Sequence, residues 1–125
     1  MNNLHIQTGR WGEQAATDFL VAKGYDIIER NWRLEHLELD IVARNKQRVV
    51  FVEVKTRTNA DNADPLTLIT KRKLSNMVKS ANAFMKLFNQ NFTAQFDIII
   101  ITGTKDNYKI EHLEDAYFPP MKTYR

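Results

Sequence analysis

The chain contains no cysteine, which excludes a disulfide framework and any thiolate metal site. Long apolar runs are also missing: the longest aliphatic stretch, Ile98-Ile99-Ile100-Ile101, is far too short to span a bilayer. Met1-Asn2-Asn3-Leu4-His5 lacks the basic and apolar regions of a secretory signal. A soluble cytoplasmic protein with no membrane partner is the expectation. His5, His36 and His112 are scattered without ligand spacing, which argues against zinc or histidine-based chemistry. Acid is absent from one whole segment, since no Asp or Glu falls between Pro65 and Phe96, while Lys71, Arg72, Lys73, Lys79 and Lys86 do. The net charge of +3 is therefore unevenly spread. Such a local basic surface suits a phosphate backbone; a solvated helix face is the plainer alternative.

At 125 residues the length fits one domain with a real core, spanning residues 1–125, and no internal repeat or low-complexity tract interrupts it. Thr8 to Lys23 has the spacing of a helix, with Trp11, Ala15, Ala16, Phe19 and Leu20 on one stripe and Gly24 placed to end it. Tyr25 to Trp32 predicts a first strand, and Leu37 to Ala43 and Val49 to Thr58 predict two more, joined by the short polar link Asn45-Lys46-Gln47. Residues 59–65, ending in Pro65, form a loop. Thr70 is an N-cap for a helix whose Leu74, Met77, Val78, Ala81, Phe84, Met85 and Phe88 make an apolar stripe. Phe96 to Thr102 and Tyr108 to Leu113 are strands around a Gly103–Asn107 turn, and a proline-containing tail follows Phe118. The order α-β-β-β-α-β-β predicts an α/β domain, a mixed sheet flanked by helices.

The third strand plants two charges in an apolar run, Val49-Val50-Phe51-Val52-Glu53-Val54-Lys55. Side chains alternate along a strand, so Glu53 and Lys55 share a face about 6.6 Å apart, opposite Val50, Val52 and Val54. Glu38 and Asp40 share a face in the second strand by the same rule, opposite Leu37, Leu39, Ile41 and Ala43. If these strands are antiparallel neighbours, about 4.8 Å apart, Asp40, Glu53 and Lys55 converge. Carboxylates that close repel unless something positive stands between them.

Asp40, a dozen intervening residues, then Glu53-Val54-Lys55 is the pattern of the PD-(D/E)XK nuclease superfamily. A wider set of residues carries a more specific resemblance: Gly9-Arg10-Trp11-Gly12-Glu13 with Ala16, Gly24-Tyr25, Arg30-Asn31-Trp32-Arg33, Glu38-Leu39-Asp40, Phe51 to Arg57, and Phe96-Asp97. In these the chain, from about Gly9 to Tyr117, resembles the YraN family of small bacterial proteins, grouped with archaeal Holliday-junction resolvases. It departs at Leu37 and Lys71, where that family usually has Gly and Pro. The resemblance implies a restriction-endonuclease-like sheet. It also implies a Mg²⁺ cofactor, for which Mn²⁺ can substitute, held by Asp40 and Glu53, with Lys55 as catalytic lysine and Glu13 as a helix-borne acid. Glu38 is an accessory acid that either joins the site or orients a neighbour. A hard cation that takes oxygen ligands, keeps waters and accepts a substrate phosphate explains the choice of residue types. Such a metal assists in-line attack on a phosphodiester, and a compact ammonium offsets the charge that develops.

Each assignment has a plainer rival: Glu53-x-Lys55 as a solvated ion pair, Glu13 as an acid favoured by a helix dipole, and Arg57, Lys71, Arg72 and Lys73 as solvent-facing charges rather than phosphate contacts. Trp32 favours packing over base stacking. The expected function is a Mg-dependent endonuclease acting on structured or branched DNA, with a homodimer as the resolvase-like arrangement. A non-catalytic nucleic-acid-binding adaptor of the same fold, or an interaction domain whose acids merely pair with Lys55 and Arg57, are the competing readings.

Overall fold

The computed structural model describes residues 3–59, 69–88 and 93–117, with side chains from residue 10 onward. Its elements are α1 (Asn3–Ala22), β1 (Asp26–Leu34), β2 (Leu37–Asn45), β3 (Arg48–Arg57), α2 (Lys71–Leu87), β4 (Thr93–Thr104) and β5 (Asn107–Leu113). The strands form one five-stranded sheet in chain order. Every neighbouring pair is antiparallel except β3 and β4, which run parallel. A parallel pair cannot be closed by a hairpin and needs a crossover, and α2 lies in that connection. The α/β fold and the element order α-β-β-β-α-β-β are thus as expected.

One helix covers each face. Ala15, Ala16 and Leu20 of α1 pack on Ile41, Ala43, Val50, Val52, Ile99 and Ile101. On the other face Met77, Ala81 and Phe84 of α2 pack on Val42, Val49, Phe51 and Phe96. β4 is covered from both sides, which is why its Ile98-Ile99-Ile100-Ile101 run has no polar alternation and is wholly buried. Phe84 is fully buried, with the Trp32 and Phe51 rings edge-on to it. Trp32 is therefore a packing residue. Truncating a Phe in such a place costs about 3–5 kcal/mol.

Local signals explain most boundaries. Thr70 caps α2 with an extended backbone, its Oγ accepting the Lys73 N–H at 3.1 Å. Gly24, at φ +93°, ends α1 in the left-handed region that a side chain disfavours. The link expected over residues 45–47 is shorter, because Asn45 still pairs with Arg48 and only Lys46 and Gln47 turn the chain. α1 begins earlier than Thr8, since apolar spacing marks only the stretch that meets the sheet. Phe88, expected in the apolar stripe, is 44% exposed at the C-cap of α2. The loop expected over 59–65 lies outside the described residues from 60 onward, as does the tail after 117. Among the described residues no helix is long and apolar enough to cross a membrane.

Candidate functional site

The site lies where the sheet stops being regular. The β2–β3 ladder ends at the Ile41–Val52 pair, one step short of Asp40 and Glu53. In β1, Asn31 has φ +52° and lies between the Arg30–Ile41 and Trp32–Leu39 pairs, which keep one register; the register shift of these two strands is farther away, at Ile27/Glu29. Asn tolerates this left-handed backbone far better than most residues. In β2, across from it, the alternation that the sequence implied is broken. Ile41 and Ala43 face α1, but Leu39, expected beside them, joins Val42 and Phe51 on the α2 side. Asp40 sits at the resulting fork between β2 and β3, and its Oδ2 accepts the Val54 N–H at 3.0 Å. A side-chain carboxylate thus satisfies a backbone donor that the ladder has abandoned.

Glu53 is buried beside it, 7% exposed, and the two carboxyls hydrogen-bond to each other. Burial, then the charge of Asp40, pushes the Glu53 carboxyl up to about 7. Asp40 is also raised by burial, against the opposing pull of the Val54 N–H and Lys73. Near neutral pH the pair consequently favours a state with one proton shared between the two acids. Among the described residues the cation paired with Glu53 is on α2: Lys73 Nζ lies 2.8 Å from Glu53 Oε1. Burial pulls the Lys73 ammonium down, but the Glu53 hydrogen bond and the charges of Glu53, Asp40 and Glu38 outweigh it and hold it up. A pocket of about 260 Å³ opens here, lined by residues including His36, Glu38, Glu53, Arg72 and Lys73.

Glu13 approaches from the other helix. Gly12 lets α1 come down on β3, where a Cβ would overlap the Thr56 hydroxyl. The Glu13 side chain lies 4.0 Å from Arg30 Nε, hydrogen-bonds to Asn31, and is raised by burial and by the charge of Asp40. Its Oε1 is buried without a hydrogen-bond partner among the described residues. Glu38 is exposed, 3.8 Å from Arg33 Nε, while its backbone N–H donates to the buried Ser80 Oγ at 3.2 Å and ties β2 to α2.

Asp40 and Glu53 are therefore together, Glu13 stands behind Asp40, and Glu38 is at the pocket wall. Lys55 is exposed on β3 and has no hydrogen-bond or ion-pair partner among the described residues. The pairing of acids with Lys55 and Arg57, one of the readings of the sequence, gives way to pairing with Lys73, because α2 crosses over the strand end and Arg57 Nε donates instead to Thr102 Oγ at 2.9 Å. Lys71 and Arg72 are exposed on the first turn of α2.

Among the described residues, no three His, Asp or Glu side chains are drawn tightly enough to form a complete metal cage. A magnesium ion needs less, one or two carboxylates with waters and a phosphate supplying the rest. The donor set fits that demand: two acids share a proton where a cation would serve better, and a neighbouring carboxylate oxygen is buried without a donor.

Asp97, present in the motif pattern without an assigned role, is a structural hub that sequence alone did not identify. It is fully buried and accepts from His112 Nε2 at 2.7 Å, Gln95 Nε2 at 2.9 Å and the Asp115 N–H at 3.0 Å. Lys23 Nζ lies 2.9 Å from the other ring nitrogen, which fixes His112 as the Nε2–H tautomer.

The model of uncharacterised protein family UPF0102 matches residues 12–101 of this chain. A UPF0102 protein of Bacteroides thetaiotaomicron is 43% identical over 117 residues, covering 94% of this chain and 97% of that protein. UPF0102 proteins of Flavobacterium psychrophilum and Prosthecochloris aestuarii are each 36% identical, over 91% and 94% of this chain and 96% and 98% of theirs. With matches of this extent, the chain belongs to the UPF0102 family, the YraN family its motifs resemble.

Proposed function

We propose that this protein is a magnesium-dependent endonuclease that hydrolyses phosphodiesters in structured or branched DNA. The observation that carries the reading is the Asp40–Glu53 pair at the β2–β3 fork, acid to acid, with Glu53 buried and Asp40 half-buried, beside a pocket rimmed by Arg72 and Lys73. Desolvating Glu53 beside a second acid is costly, and the one backbone N–H that Asp40 satisfies does not call for it, which is characteristic of a site kept for chemistry.

Asp40 and Glu53 would hold the ion, with Glu13 close enough to Asp40 to support it electrostatically. Bound there, Mg²⁺ or Mn²⁺ supplies a polarised phosphoryl oxygen and a more acidic water. Lys55, on the same strand face as Glu53, would offset charge on the phosphate. Arg57, Lys71 and Arg72 would position the backbone of the nucleic acid without reading its sequence. Cytoplasmic action on DNA, as a pair of copies when two strands are cut symmetrically, completes the proposal.

The test is a cleavage panel over linear, single-stranded and branched DNA with Mg²⁺, Mn²⁺ or EDTA, run beside Glu53→Ala. Cleavage that needs the metal and is lost in Glu53→Ala supports the reading; metal-dependent cleavage that survives the substitution refutes it. No cleavage, with DNA binding that is indifferent to Mg²⁺ and falls steeply with salt, would identify the non-catalytic adaptor instead.

A further inference from the structure

We infer that Lys73 is an exchangeable counter-ion: it holds the cation position of the Asp40–Glu53 pair until a divalent ion displaces it, and is then released toward the phosphate. The inference rests on the proposed function and names a residue that the motif pattern does not. That pattern assigns the ammonium to Lys55, yet Lys55 has no polar partner among the described residues, whereas Lys73 Nζ is 2.8 Å from Glu53 Oε1.

Geometry gives Lys73 both positions. Its backbone is fixed, because it lies in the first turn of α2 and its N–H donates to the Thr70 cap. Its side chain is not fixed: it remains 53% exposed while its ammonium reaches a Glu53 side chain only 9% exposed. A lysine anchored at its Cα, with a flexible four-carbon stem along a pocket wall, can move its charge across the pocket without moving the helix. Arg72, adjacent in sequence, lines the same pocket, so the released ammonium joins a second positive charge at the pocket wall. Lys73 and the divalent ion compete for the same carboxylate oxygen. A device of this kind keeps the acid pair neutralised when no metal is bound, which lessens the cost of maintaining it. Lys73 is in this sense a positioning residue.

Trace acylation of lysines on the intact protein, read by mass spectrometry site by site, tests this directly. Lys55, Lys71 and Lys79 serve as internal exposed references. In EDTA, Lys73 should react about tenfold more slowly than these, a coupling at the modest end of those seen between competing sites. Saturating Mg²⁺ should remove most of that protection, and Glu53→Gln should remove most of it without metal. Magnesium binding by calorimetry is measured on the same samples. If Mg²⁺ binds and Lys73 stays protected, or if Lys73 is unprotected from the outset, the exchange is overturned while the proposed function stands. If no Mg²⁺ binds at millimolar concentrations, both are overturned. As a second readout, Lys73→Gln should bind Mn²⁺ but cut branched DNA at least tenfold more slowly; a wild-type rate in Lys73→Gln would overturn the role in phosphate positioning.

Discussion

Replacing Glu53 by Gln should make the metal-free protein more stable at pH 8, although it removes a residue from the centre of the site. In the unfolded chain this carboxyl titrates near its ordinary 4.5; in the fold it is pushed up to about 7 by burial and by Asp40. Between those values the folded state holds more protons than the unfolded one, so wild-type stability falls as pH rises from about 4.5 to about 7 and then levels off. The full span corresponds to about 3 kcal/mol of penalty in the ionised state. Gln fills nearly the same volume, is never ionised, and can still donate to Asp40. It forfeits the short contact to Lys73, which retains the charge of Asp40. A net gain of about 2 kcal/mol at pH 8 remains, or a rise in Tm of about 6–8 °C for a chain of this size. Urea denaturation of both proteins at pH 5, 6, 7 and 8 in EDTA measures it. The two stability curves should cross between pH 5 and 6, separate further up to about pH 7, and hold that separation above it. Parallel curves, or a variant less stable at pH 8, would refute the claim that burying Glu53 beside Asp40 is costly.

Other substitutions probe the supports of the site. Asp40→Ala leaves the Val54 N–H without its acceptor and should be about 1–3 kcal/mol less stable than Asp40→Asn, which can still accept; equal denaturation midpoints would contradict that role. Gly12→Ala drives a methyl into the Thr56 hydroxyl and should cost about 1–3 kcal/mol, most of it recovered in the Gly12→Ala/Thr56→Ala double variant, as a double-mutant cycle would report. Asp97→Ala strands His112, Gln95 and the Asp115 N–H in the interior and should cost at least about 3 kcal/mol by chemical denaturation, with Mn²⁺ affinity unchanged in the remaining folded protein.

How much of this was legible in the sequence depends on whether a residue's neighbours lie nearby in the chain. The face shared by Phe51 and Glu53 follows from alternation along an unbroken strand, and the Thr70 cap from a purely local preference. Leu39 lies on the face opposite to the one its spacing from Ile41 predicts, because alternation holds only while the strand stays regular, and β2 loses that regularity at the fork, across from the left-handed Asn31. The Arg30-Asn31-Trp32-Arg33 motif contained the signal: an Asn among strand residues marks a backbone conformation, not a surface preference. In the sequence Lys73 is one basic residue among several. Its contact with Glu53 is set by where the crossover places α2, a property of the packed core that no window of sequence reports. His112 likewise lies far from Asp97 in spacing terms until β5 returns alongside β4.

The fork between β2 and β3 turns one backbone amide into a gauge. Along the paired part of β3 the sheet's N–H groups answer to carbonyls, whose acceptor strength does not change with conditions; the Val54 N–H is tethered instead to an ionisable oxygen, Asp40 Oδ2. Whatever draws electron density from that oxygen, whether an added proton or an arriving cation, loosens the tether and alters the resonance and solvent exchange of a single amide. Occupancy at the heart of the fork can thus be followed in solution by nuclear magnetic resonance of one nitrogen, with no substrate present and no residue replaced.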